Sequence, residues 1–154
     1  MFGRLVDASD FKRVLASAPV ARSAHFALHH VAAAPAARRR LPAEAVVREL
    51  STMKAPTSDV SVDKLPPPGP AAPARWAGFV LPKRLARRAV TRQLLKRQMR
   101  QALLQQAAFL PAGMWVVRLR AAFATSQFPS AASDALRAAA RAELQTLLRT
   151  AAAR

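Results

Sequence analysis

From residue 65 to residue 133 the chain contains no Asp or Glu, yet between 75 and 120 it carries eleven cations: Arg75, Lys83, Arg84, Arg87, Arg88, Arg92, Lys96, Arg97, Arg100, Arg118 and Arg120. Solvated helices ordinarily interleave signs, because like charges four residues apart repel by roughly 0.2–0.5 kcal/mol while Glu ahead of Lys or Arg stabilises by a similar amount. For a segment that forgoes such pairing, packing on one side and a polyanion on the other is the preferred reading. It stands ahead of a solvated face, which explains solubility but not the missing acids, and of a membrane-surface helix, which would need a broader apolar face. The whole chain shares the bias, with 25 Lys and Arg against 8 Asp and Glu, a net charge of +17 and a pI near 12.0. Arg predominates over Lys, which suits bidentate contacts to phosphate oxygens.

Residues 86–108 hold no Gly or Pro and are rich in Leu, Gln, Arg, Lys, Met and Ala, so a long helix is predicted there. At about 100° per residue, Arg88, Arg92, Lys96 and Arg100 form a stripe about 120° wide, which Arg97 widens on one side. Leu95, Met99, Ala102 and Leu103 occupy an adjoining arc for burial. Elsewhere the pattern predicts a helix over 8–17 capped by Ser9 or Asp10, and a strand over 25–31 with Phe26 and Leu28 opposite His25, Ala27 and His29. Further strands are expected over 76–81 and 114–119. A last helix, capped by Ser130 or Ser133, carries Leu136, Leu144, Leu147 and Leu148. Between 33 and 74, Ala, Pro, Ser and Thr dominate, Arg38-Arg39-Arg40 is a bare charge run and Pro66-Pro-Pro-Gly-Pro70 fits neither helix nor strand. That stretch reads as a flexible insertion with one marginal helix at 42–50. The fold expected is α+β: a two-layer sandwich with a small sheet of three strands and helices on one face.

A chain of 154 residues fits one domain, and since 37 of its apolar residues are Ala, with no Ile or Tyr, the core is small. Having no Cys excludes disulfides, thiolate metal sites and a Cys nucleophile, and agrees with a reducing compartment. The first residues turn charged by Asp7 and lack the apolar run of about 7–15 residues of a secretory signal. Nowhere do about 18 apolar residues run unbroken, so no membrane partner is expected. A cytoplasmic protein is the expectation.

The stretch Phe79-Val-Leu-Pro-Lys83-Arg84-Leu-Ala-Arg87-Arg88-Ala89-Val90-Thr-Arg92-Gln-Leu-Leu-Lys96-Arg97-Gln-Met-Arg100 resembles the signature of the bacterial ribonuclease P protein component. That signature runs as a strand, a Lys-Lys pair, Ala, then Arg-Asn-Arg-x-x-Lys-Arg-x-x-Arg. Arg4-Leu5, Asp10-Phe11, Phe26-x-Leu28 and Trp115-Val-Val-Arg-Leu119 are similar to further parts of the family pattern. Gln93 and Leu94 depart from it, standing where the family has Asn and a second Arg. The resemblance implies a mixed four-stranded sheet with an unusual left-handed βαβ crossover. It implies a subunit that joins a catalytic RNA, binds the 5′ leader of precursor tRNA and assists endonucleolytic leader removal. The chemistry would belong to the RNA and its Mg²⁺ ions, with no catalytic or metal-binding residue and no small-molecule substrate in the protein. Lys83, Arg84, Arg87, Arg88, Arg92, Lys96, Arg97 and Arg100 would face the catalytic RNA. Phe11, Leu15 and His29 would line a cleft for single-stranded leader, with Phe11 as stacking platform.

Two other functions compete. An autonomous nuclease would use His25, His29 and His30, but no acid nearby in sequence orients an imidazole. A basic structural RNA-binding protein, ribosomal or nucleoid in type, needs the same phosphate attraction and is distinguished only by the signature. Asp134 and Glu143 read as surface polarity, and Trp76 and Trp115 as core.

Overall fold

Strand β5, Gly113–Leu119, explains the architecture, because both of its faces are apolar. Met114 and Val116 point to one side of the sheet, and Trp115, Val117 and Leu119 to the other; all five are essentially fully buried. Such a strand demands cover on both faces. In the computed structural model, which describes residues 2–36 and 75–154, it receives that cover. Helix α1, Ala8–Ala16, packs across β5 and β3, Phe26–Val31. Helices α2, Ala89–Gln105, and α3, Asp134–Ala152, pack together over the opposite face. Helices on a single face are thus corrected to one helix against two, since α1 uses Val14, Phe11 and Leu15 to cover Met114 and Val116.

The sheet has five strands in the order β1-β4-β5-β3-β2, with β1 at Phe2–Arg4, β2 at Ala21–Arg22 and β4 at Arg75–Val80. β1, β4 and β5 run parallel, and β3 pairs antiparallel with both β5 and β2. Three or four strands were expected. The two edge strands span three and two residues, too short for a period of two to show in sequence. Each is set by pairing with its neighbour, as when the Leu5 N–H donates to the Ala77 carbonyl at 3.0 Å.

The helix ends differ from expectation for local reasons. Asp7, rather than Ser9 or Asp10, stands at the N-cap of α1, and Asp10 is buried within the first turn. α2 begins at Ala89 instead of 86, because the Leu85 and Ala86 N–H groups turn back to the Pro82 carbonyl at 3.0 and 3.2 Å. It gives way after Gln105 to a 3₁₀ turn, Ala107–Phe109. Ser133 caps α3, accepting the Leu136 N–H at 3.1 Å. Most of the expected insertion over 33–74, with its helix at 42–50 and Arg38–Arg40, lies outside the described residues.

Gly113 opens β5 at φ +130°, and a Cβ there would stand 2.4 Å from the Val31 carbonyl oxygen. Strain and clash both fall on backbone that cannot yield, so Gly113→Ala should cost about 1–3 kcal/mol, read as a lower urea midpoint with an unchanged m-value.

Candidate nucleic-acid interface

The expected amphipathic division of α2 is present. Leu94, Leu95, Gln98, Met99, Ala102 and Leu103 are buried, whereas Lys96, Arg97 and Arg100 are exposed. Burying Leu95, Met99 and Leu103 stabilises by about 1.5–3 kcal/mol each. Repulsion within Arg88–Arg92, Arg92–Lys96, Lys96–Arg100 and Arg97–Arg100 totals on the order of 1–2 kcal/mol. Packing wins, and the ridge is held without a single acid. Leu94, at 8% exposure, takes the departure from the family pattern into the core, making apolar contacts where the pattern has a charge.

Ahead of α2, Lys83, Arg84, Arg87 and Arg88 are exposed in the turn that leads into the helix. Arg92 is half-buried and is committed to structure: one guanidinium nitrogen donates to the carbonyls of Ala86 at 2.9 Å and Arg87 at 2.7 Å. These two bonds hold the turn that displays its neighbours. Neither ion pair among the described residues, His25–Glu143 or Arg137–Asp134, involves this cationic surface.

A groove of about 500 Å³ lies where the end of β1, β4 and α2 meet. Lys96 and Arg100 reach it from α2, Arg4 from β1, and Phe11, Phe79 and Leu104 supply apolar surface. Phe11 sits over Gly78, where any Cβ would come within 2.5 Å of the ring. The groove therefore joins the expected stacking residue to two cations of the ridge, and adds Arg4 and Phe79, which belong to the family pattern but were not expected in the cleft. Leu15 and His29 do not line this groove. Leu15 is half-buried against the sheet beside Val14 and Met114, and His29 is buried with Nδ1 3.0 Å from the Ser17 carbonyl. Gly78→Ala should displace Phe11 and weaken single-stranded RNA binding by about 1 kcal/mol or more, measured by fluorescence anisotropy with a short labelled oligoribonucleotide.

All three histidines have partners. His30 stacks on Trp115 with ring centroids 4.1 Å apart and places Nε2 3.0 Å from the Ala112 carbonyl. His25 stacks on Phe123 at 4.0 Å and meets Glu143 through Nδ1 at 2.7 Å. Glu143 also accepts the Ser23 hydroxyl at 2.5 Å and the His25 N–H at 2.6 Å, so it pins α3 to the β2–β3 turn. Reading Glu143 as surface polarity is corrected; its partners lie 118 and 120 residues away, beyond any local pattern. Asp134 is exposed and pairs with Arg137. Trp115 is core, donating Nε1–H to the Pro111 carbonyl at 3.0 Å, and Trp76 is half-buried in the α1-side cluster.

Burial lowers the pKa of His29 below its ordinary 6.5; the Ser17 carbonyl opposes this, and Arg118 and Arg22 reinforce it. Burial raises that of Glu143, but the bonds from Ser23 and His25 outweigh it and leave the carboxyl below its ordinary 4.5. A histidine with a depressed native pKa contributes stability above its unfolded value, and loses it as pH falls because the unfolded chain takes up the proton first. Glu143 likewise contributes above about 4.5 and loses its contribution below. Thermal midpoints should therefore drop between pH 7 and 5.5 in the native sequence, with a shallower slope in His29→Gln, and drop again below pH 4.5 through Glu143.

A family model described as Ribonuclease P matches residues 2–143. Among solved structures, the RNase P protein of Staphylococcus aureus is similar, with a TM-score of 0.55 and 14% identity over 97% of this chain and 94% of that one. At that identity the likeness concerns the fold. No curated protein sequence matches the chain.

Proposed function

Since the chain belongs to the ribonuclease P family, and is thus a protein subunit taking part in tRNA 5′ processing with an RNA partner, we propose a division of labour across its surface. The α2 ridge of Lys96, Arg97 and Arg100, with Lys83, Arg84, Arg87 and Arg88 ahead of it, grips the catalytic RNA, while Arg92 holds the turn that presents them. The groove beside it receives the unpaired 5′ leader of precursor tRNA, with Phe11 as the ring against which a base stacks. Leu15 packs in the same α1-side cluster as Phe11, and His29 anchors the C-terminal end of α1 through the Ser17 carbonyl. The observation that carries this reading is that Lys96 and Arg100 belong to both surfaces, so ridge and groove form one continuous positive field. Two dense polyanions brought together on such a field release counterions and repel each other less. Backbone contacts and stacking also tolerate leaders of many sequences better than base-edge hydrogen bonds do.

Among the described residues no three His, Asp or Glu side chains form a group that could hold a metal ion. In this proposal Mg²⁺ and the hydrolytic chemistry rest on the RNA, and the protein binds and orients. β4, α2 and β5 form a βαβ unit of neighbouring parallel strands, and the left-handed crossover expected of the family would be this unit. A cytoplasmic site of action belongs to the same reading; among the described residues no helix is long and apolar enough to cross a membrane.

Reconstitution with the organism's catalytic RNA tests the proposal. Replacing Lys96, Arg97 and Arg100 together by Ala should reduce the slope of log affinity against log salt by on the order of 2–3 and impair leader removal at low Mg²⁺. Unaltered assembly and turnover in that variant would overturn it. Phe11→Ala should leave catalytic-RNA binding intact and weaken precursor tRNA relative to mature tRNA by about 1–3 kcal/mol.

A further inference from the structure

A second pocket, of about 310 Å³, lies between the turn that precedes α2 and the segment that leads into α3. Arg84, Arg87 and Arg88 line one wall, and Phe123 and Phe128 the other, with no acid among the lining residues. Its size falls near the lower end of the range of about 300–1,000 Å³ for small-ligand sites. Three cations facing two aromatic rings match neither a bare anion, which needs no rings, nor an apolar ligand, which needs no guanidinium groups.

The walls are tied in place. The Thr91 hydroxyl donates to the Ala131 carbonyl at 2.7 Å, joining α2 to the opposite wall. Arg92 holds the carbonyls of Ala86 and Arg87, and the Phe128 N–H turns back to the Ala124 carbonyl at 2.9 Å. Phe123 has the His25 ring stacked on it and meets Phe128 edge-on at 5.7 Å, so Glu143, through His25, steadies this wall as well. A site whose walls are ordered before binding loses little entropy on binding.

We infer that this pocket takes one unstacked nucleotide of the RNA partner, its phosphate on Arg84, Arg87 and Arg88 and its base against Phe128. The inference rests on the RNA-binding reading above and adds to it a point of grip on the far side of the turn from the leader groove. Arginine supplies forked donors to phosphate oxygens, and a ring accepts any base face, so the site selects an extruded nucleotide by shape more than by sequence.

The test uses the full chain with 5′-AMP and inorganic phosphate as probes, followed by NMR. The nucleotide should bind at least about fivefold more tightly than phosphate and shift the ring protons of Phe128, whereas phosphate should shift only the arginine signals. Phe128→Leu should abolish the difference between the two probes. Arg87→Ala with Arg88→Ala should weaken both by about tenfold or more. Equal affinity of the native chain for the two probes, or nucleotide shifts that map to Phe11 instead of Phe128, would overturn the inference. Either result would leave the function of the α2 ridge standing, because that is read from the salt dependence of catalytic-RNA binding with Lys96, Arg97 and Arg100 replaced.

Discussion

Everything on the positive surface depends on removing the inner flank of α2 from water. Leu95, Met99 and Leu103 are at most 1% exposed, packed in the cluster that α2 shares with α3 and the sheet. Their burial exceeds the mutual repulsion of the cations on the outer flank by several kcal/mol, taking about 1.5–3 kcal/mol per side chain. A helix of this sequence alone in water would have repulsion without that compensation, and marginal nucleation besides. The fold therefore acts as the counterweight that lets a run of cations stay helical, unpaired and open to phosphate.

The second constraint is β5, covered on both faces. Because α1 occupies one side and α2 the other, the β1 edge of the sheet becomes the place where elements from both layers approach each other. Gly78 lets Phe11 lie close on β4, and α2 brings Lys96 and Arg100 to the same groove. Stacking surface and charge thus meet at a sheet edge through packing, although Phe11 is 85 residues from Lys96 and 89 from Arg100 along the chain.

How much could be read in advance follows from the range of each interaction. The charge run and the 3.6-residue period of α2 are local, as is the alternation of Phe26 and Leu28 with Ala27 and His29, and all of these were legible. The run from Met114 to Leu119 announces a buried strand, and with Met114 and Val116 on one face and Trp115, Val117 and Leu119 on the other, both faces need cover, which only the packing of α1 against one face and of α2 and α3 against the other makes plain. β1 and β2 exist only through their partners. Glu143 looks like any helix-surface acid until the fold brings Ser23 and His25 to it, and Phe123 and Phe128 gain meaning only opposite the arginines before α2. Arg92 is the converse case: its position in the motif was plain, while its commitment to the Ala86 and Arg87 carbonyls was visible only in three dimensions.

Because the chain has no cysteine of its own, single thiols can be placed at will to carry a photoreactive probe. Gln101→Cys puts one on the exposed flank of α2, and Ala138→Cys puts one on the exposed side of α3. Irradiated with the catalytic RNA, the first should cross-link to it efficiently and the second should not. Cross-links from α3 with none from α2 would contradict the account, since the RNA would then be bound by a face other than the acid-free ridge.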